Sequence, residues 1–166
     1  MPGAVVLCLA QMDQILDVDA RNLTMRVQAG VVTQRIDEAA AKEGLLYPPD
    51  PGSMRISTIG GNVAENSGGA HCLKYGFTVN HVLAATVVLS DGSIVELGGE
   101  APDQPGLDLL GVVIGSEGTV GIVTEALLRL LPKPEHVETL VAMFPSTETA
   151  GDAVSAIIAD GVVPAA

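Results

Sequence analysis

Apolar and polar positions alternate between Leu23 and Gln28. Leu23, Met25 and Val27 fall on one side, and Thr24, Arg26 and Gln28 on the other. That two-residue period predicts a half-buried β-strand. The apolar runs Val5 to Leu9 and Ile15 to Val18 predict two strands ahead of it. Gly30 breaks the pattern. Thr33 to Glu43 then takes helical spacing, with Gly44 as the stop. Pro48, Pro49 and Pro51 impose an extended path, because proline fixes φ and restricts the residue before it. Val82 to Leu89 and Ile94 to Leu97 predict a hairpin around Asp91-Gly92. Leu107 to Val113 predicts a short helix. Gly118 to Leu130 predicts a turn that runs on as a long strand, and Pro132 and Pro134 read as a linker. Beyond them, Thr139 to Phe144 and Thr147 to Ala159 predict a strand and a helix that open another domain. Ser146 is placed to cap that helix, although Thr149 does not complete a capping box. There is no internal repeat, and the elements together predict an α+β fold.

The stretch Pro49-Asp50-Pro51-Gly52-Ser53, followed by Ser57-Thr58-Ile59-Gly60-Gly61-Asn62-Val63-Ala64-Glu65-Asn66-Ser67-Gly68-Gly69, carries neither period. It is built from glycines and small or amide-bearing residues, which expose backbone N–H groups and let a ligand come close to the main chain. The two Gly-Gly pairs bracket a run that predicts a short helix or turn at a sheet edge. A helix N-terminus preceded by glycines favours a phosphate or another electron-rich group. A Gly-rich surface turn is the alternative reading of the same residues.

Composition narrows the picture. The chain has 166 residues, 48% of them hydrophobic, enough for one globular domain with a sizeable core. Only 2% are aromatic, so Val, Leu, Ile and Ala must build that core. A formal net charge of −12 argues against nucleic acid and against anionic lipid as partners. No apolar stretch is long enough for a membrane span. The N-terminal apolar run lacks the basic flank of a signal peptide. Cys8 and Cys72 have neither metal-ligand spacing nor a disulfide framework, so they read as buried free thiols of a cytoplasmic protein with no metal.

The string PDPGSMRISTIGGNVAENSGGAHCLKYG resembles the flavin-binding segment of the FAD-linked oxidases of the vanillyl-alcohol oxidase, or PCMH, type. The string GSEGTVGIVTEALLRLLPKPE, Gly115 to Glu135, resembles the next flavin contact of that family. Within it, the likeness is to the glycolate oxidase FAD subunit and the D-lactate dehydrogenases, over nearly the whole chain. The resemblance implies that residues 1–134 are the second part of a PCMH-type FAD-binding domain. It implies that residues 135–166 are the first strand and helix of a ferredoxin-like cap domain. The pyrophosphate-binding lobe and the rest of the cap, with the family's catalytic residues, would then lie outside this chain. The catalytic residues are accordingly unknown. The implied activity is oxidation of a small D-2-hydroxy acid, glycolate or D-lactate, with hydride passing to flavin and electrons onward to an acceptor or partner subunit. A fragment alone would be inactive. A noncatalytic truncated segment and one chain of a split enzyme completed by a partner are the rival readings.

Residue by residue, the resemblance puts Pro49, Asp50, Gly52 and Ser53 in the loop beside the flavin; a Pro-rich connector is the plainer alternative. Ser57, Thr58, Gly60 and Gly61 would meet the flavin and its phosphates through hydroxyls and main-chain amides. Asn66, Gly68 and Gly69 would continue the contact. Glu117, Gly118, Gly121 and Ile122 match the second segment, with the Ile122 backbone facing the adenine end. Glu117 would cap neighbouring N–H groups, since a carboxylate repels phosphate. His71 and Cys72 do not match the family's attachment positions, so noncovalent FAD is expected. No carboxylate partner for His71 is visible in the sequence. Lys74 and Tyr75 read as anchors of the segment. His81 and His136 fall in predicted turns and carry no ligand pattern.

Overall fold

The computed structural model describes residues 3–101 and 105–165. Its centre is a five-stranded, wholly antiparallel sheet. Strand β1 (Ile15–Asp19) pairs with β2 (Thr24–Gln28). The turn between them is closed by the Asp19 carboxylate, which accepts from the N–H groups of Arg21 and Asn22. Leu23, expected inside the strand, instead takes φ 56 in that turn. Helix α1 (Thr33–Lys42) ends where Gly44 turns at φ 70. The two-residue strand β3 (Leu45–Leu46) follows. Helices α2 (Ile59–Glu65) and α3 (Cys72–Tyr75) and a 3-10 turn, Thr78–His81, lead into β4 (Val82–Val88). The hairpin to β5 (Ile94–Gly98) turns on Gly92 at φ 84. Helix α4 (Leu109–Val113) precedes β6 (Ile122–Arg129), the middle strand in the order β1-β2-β6-β4-β5. Strand β7 (Leu131–Pro132) closes on β3, so the Pro132 region is a strand pair rather than a free linker. Helix α5 (Thr147–Ala159) is the last element among the described residues.

The predicted alternation in β2 holds where it matters: Met25 and Val27 are fully buried. With Val87 of β4, Ala126 and Leu128 of β6, Ile36 and Ala40 of α1, and Ile59 and Val63 of α2, they form one aliphatic core. Each fully buried Val, Leu, Ile or Met side chain among them contributes roughly 1.5–3 kcal/mol by transfer from water. The two helices thus lie against the sheet, and α2 is held by packing rather than by helix propensity, which its glycine pair lowers.

Two predicted strands do not form. Val5 to Leu9 is irregular, with Val5 93% exposed. Thr139 to Phe144 is irregular too, with Met143 95% exposed. An apolar run becomes a strand only beside another strand, and neither run has a neighbour to pair with. The helix that follows does form, and Ser146 accepts the N–H of Thr149 at 3.3 Å as its cap. The cysteines are free, but Cys8 is exposed and Cys72 half-buried rather than buried.

Candidate functional site

Helix α2 begins at Thr58, whose extended backbone and side-chain oxygen cap it. The helix packs very close to the chain after β2. The N–H of Ile59 donates to the Val31 carbonyl and that of Gly60 to the Ala29 carbonyl, both at 2.8 Å. A Cβ on Gly60 would lie 2.8 Å from the Ala29 Cβ, so this glycine is a packing requirement. Gly61 differs: a Cβ there would meet only Thr58 Oγ1, at 3.5 Å. Beneath them the buried Asn62 donates to Thr33 Oγ1 at 2.6 Å, and Thr33 in turn donates to the Ser57 carbonyl at 3.2 Å. This chain of bonds fixes α2 to the start of α1.

The first-turn amides of α2 are therefore engaged. Ile59 and Gly60 bond carbonyls, and Gly61 donates to Thr58 Oγ1 at 3.4 Å. Of the expected cradle at Ser57 to Gly61, the amides of Ser57, Ile59, Gly60 and Gly61 are thus engaged within the chain. What the segment offers is the bare Gly61 and Ala64 face.

The second glycine-rich segment docks on the other end of the same helix. A helix leaves its last carbonyls without partners. Gly115, at φ 81, donates to the Val63 carbonyl at 2.8 Å. Glu117 donates its backbone N–H to the Ala64 carbonyl at 2.9 Å and takes φ 52 to do so. Its carboxylate is exposed and caps no N–H group, contrary to expectation. Gly118 follows at φ 73. Gly121 is tight against β4, where a Cβ would lie 2.6 Å from Val87 Cγ1. Between α2 and this turn lies a cleft of about 210 Å³, walled by Leu9, Gly60, Gly61, Ala64, Val113, Ser116, Gly118, Gly121, Ile122 and Val123. Two stretches far apart in sequence thus meet at one hollow. A larger hollow, about 550 Å³ beside β5 and α4, contains none of the sequence-predicted site residues.

The remaining candidates lie elsewhere. Asn66 caps α2 in the left-handed region, φ 48, and its Oδ1 accepts the Val79 N–H at 2.9 Å. Gly68 has no room for a Cβ beside Cys72 and the Phe77 ring. Gly69 is pressed on Asp50. Pro49 is buried, whereas Gly52 and Ser53 are exposed and a Cβ on Gly52 would meet nothing. Asp50 has a partner that sequence reasoning missed. Its Oδ2 is 3.0 Å from His71 Nδ1, and its Oδ1 accepts the His71 N–H at 3.2 Å. The pair is distant in sequence and has no periodic signature. The His71 ring also meets Tyr75 edge-on at 6.3 Å, and the Lys74 ammonium lies 5.5 Å from that ring. Below the segment, buried His81 packs edge-on to buried Tyr47, with Nε2 2.8 Å from the Tyr75 carbonyl. Burial holds the His81 pKa below its ordinary value against the opposing pull of that carbonyl, and burial raises that of Tyr47.

Chemically, the cleft suits a flat, largely apolar ring with a polar edge. Glycines admit it, aliphatic side chains cover it, and no Lys or Arg lines the walls to hold a phosphate.

Comparison with known proteins gives the family. Residues 1–98 match the family model described as FAD binding domain. "Glycolate oxidase subunit GlcD" of Bacillus subtilis (strain 168) is 51% identical over 164 residues, 98% of this chain and 35% of that protein. "D-lactate dehydrogenase" of Anaerostipes hadrus is 44% identical over 147 residues, 88% of this chain and 31% of that protein. Among solved structures, an alkyldihydroxyacetonephosphate synthase superposes with TM-score 0.82 at 30% identity, covering 94% of this chain and 28% of its own. The chain spans about a third of the length of the relatives it matches.

Proposed function

The chain belongs to the FAD binding domain family, and on that premise we propose that it is the FAD-binding portion of an oxidoreductase acting on a small D-2-hydroxy acid, glycolate or D-lactate. The observation that carries the reading is the meeting of the two glycine-rich segments at one apolar cleft. Bound there, noncovalent FAD supplies the two-electron acceptor. The residues of this chain bind and orient a ring system. Gly61 and Gly118 give it access, Ile122 and Val113 exclude water, and the Asn62–Thr33 bond keeps α2 at a fixed distance from the sheet. The Asp50–His71 pair ties the Pro49–Ser53 loop to the segment after α2. Residues 1–134 form the binding body in this reading, and residues 135–166 open the cap.

The test is the flavin-to-protein absorbance ratio of the purified chain incubated with FAD, before and after acid precipitation. A yellow protein whose colour leaves with the supernatant is expected. Gly61→Val fills the open side of the cleft and should lose the flavin, while His71→Ala should keep it. A colourless parent, or a fully flavinated Gly61→Val chain, would overturn the site. Colour held in the acid pellet would overturn noncovalent binding.

A second reading, a segment that binds flavin but turns over only with a partner chain, is favoured by the apolar residues left uncovered at Val5, Val6, Leu140 and Val141. Anaerobic addition of glycolate, D-lactate or L-lactate to the flavin-loaded chain separates the two. Bleaching of the flavin band by glycolate or D-lactate alone would show that these residues suffice.

A further inference from the structure

We propose that the hollow beside β5 and α4 binds a small aliphatic monocarboxylate, with the carboxylate on Arg129 and the tail along a row of leucines. The proposal is independent of the FAD reading. Arg129 closes β6 and lines the hollow, whereas Ile122 opens the same strand and lines the cleft described above. At the ordinary rise of a strand the two positions stand roughly 23 Å apart, so the hollow is a second site rather than an arm of the first. The strand register shows what meets there. Leu128 pairs with Val82, Leu127 with Ala84, and Ala84 with Gly98. The end of β6, the start of β4 and the end of β5 thus share one end of the sheet. The space left between them and α4 is about 550 Å³, within the range of small-molecule pockets. Its apolar lining runs from buried Val82 and Ile114, through half-buried Leu83, Leu97 and Leu110, to Leu107, which is 88% exposed. An aliphatic tail laid along this row removes apolar surface that the fold itself leaves in water.

The charges name the head group. Among the described residues, three charged side chains line the hollow: Arg129, Glu96 and Asp108. Both acids have partners already. Glu96 Oε1 accepts the Thr86 hydroxyl at 2.6 Å, and Asp108 Oδ1 accepts the Gly111 N–H at 2.8 Å as the cap of α4. Arg129 has no such counterpart, since the ion pairs among the described residues join Arg35 to Asp13 and His71 to Asp50. A guanidinium meets a carboxylate through two parallel N–H donors. Asn80, which also lines the hollow, spends its Oδ1 on the Phe77 N–H at 2.8 Å and keeps its amide N–H groups as further donors. Glu96 is opposite Thr86, and Thr86 opposite Glu125, four residues before Arg129. The Glu96 backbone is therefore roughly 13 Å further along the sheet than that of Arg129. A ligand with one negative head at Arg129 and an uncharged tail matches this order. A second negative charge on the tail would meet Glu96 or Asp108, which disfavours dicarboxylates.

The experiment titrates the 166-residue chain with octanoate, hexanoate, octanedioate, octylamine and octanol, read by backbone amide chemical shifts. Octanoate at millimolar concentration should move the amides of Leu97, Gly98, Leu110 and Gly111. Two fewer buried methylenes should make hexanoate roughly tenfold weaker. Octanedioate and octylamine should bind more weakly than octanoate. Arg129→Gln should weaken octanoate roughly 3- to 10-fold and leave octanol unchanged. Its melting temperature should equal that of the parent, because Arg129 is exposed and makes no ion pair among the described residues. Silence of those amides at millimolar octanoate would overturn the proposal, as would shifts confined to Gly61 and Gly118, which belong to the other cleft. Octylamine or octanedioate binding as tightly as octanoate would overturn the choice of a monoanion. Unchanged octanoate affinity in Arg129→Gln would remove Arg129 from the site. If that variant does not fold, Leu107→Asp puts a charge in the path of the tail at an exposed position. It should abolish octanoate binding, and full affinity there would overturn the site.

Discussion

Helices α2 and α5 start alike, with a hydroxyl side chain capping the first turn, and then diverge. The seven-residue α2 contains two glycines and buries Ile59, Asn62 and Val63. The thirteen-residue α5 has better helix formers and buries none of its residues. One helix exists because of what it packs against, the other because of its own sequence. The difference marks where ligand chemistry can be held. A rigid wall needs the fixed depth that packing gives α2, whereas α5 presents Val154, Ile157 and Ile158 to solvent.

The contrast is broken most directly by truncating one apolar residue in each helix. Ile59→Ala should cost about 2–5 kcal/mol of unfolding free energy, while Ile157→Ala should fall within about 0.5 kcal/mol of the parent. Urea titration of the two variants decides this; equal losses would mean that α5 is part of the cooperative unit. Glycine replacement gives the next effect, with opposite signs. Gly60→Ala forces a methyl against Ala29 and should destabilise by about 1–3 kcal/mol. Gly151→Ala in α5, where an added Cβ meets nothing, should raise helix stability by about 0.5–1 kcal/mol, read by circular dichroism.

A pH effect from a buried group belongs to the body. Burial lowers the folded-state pKa of His81 below the ordinary imidazole value of about 6.5. The unfolded chain therefore binds this proton first as the pH falls. The contribution of neutral His81 is fully present above pH 6.5 and is lost as the pH falls through that value towards the folded pKa. His81→Gln, which keeps an N–H for the Tyr75 carbonyl, should flatten that part of the stability profile between about pH 7 and pH 5. An unchanged slope would exclude His81 as its source.

The smallest effects are at the caps. Thr58→Ala should lower global stability by about 1 kcal/mol. Ser146→Ala should reduce helical signal and amide protection in α5 while leaving the main unfolding midpoint in place. A shift in that midpoint would again couple the two regions.

What was legible in the sequence follows the same division. Local signals placed α1 with its Gly44 stop, the Asp91-Gly92 hairpin, a short helix within Leu107 to Val113 and the Ser146 cap. They also placed the Gly60 to Gly69 helix, since glycine pairs and the apolar Ile59 and Val63 sit within a few residues of one another. Pairings between distant residues were invisible. Nothing in the local pattern shows that Asp50 holds His71, that Asn62 reaches Thr33, or that the Gly115–Glu117 turn completes the end of α2. The unformed strands at Val5 and Thr139 fail for the same reason, because a strand is a property of two segments. Several glycines of the candidate site proved to be required by packing against Ala29, Asp50, Phe77 and Val87, a demand that sequence alone cannot distinguish from close approach of a ligand.

The order of the strands also sets a timetable for synthesis. The β1–β2 and β4–β5 hairpins can each zip up from neighbouring residues as the chain is made. They cannot meet, because β6 stands between them, with Thr24 opposite Arg129 on one side and Val88 opposite Ile122 on the other. The keystone is thus translated only after both hairpins. Until Arg129 has left the ribosome, two apolar half-sheets with open edges must wait unjoined, the kind of intermediate that draws chaperones or aggregates.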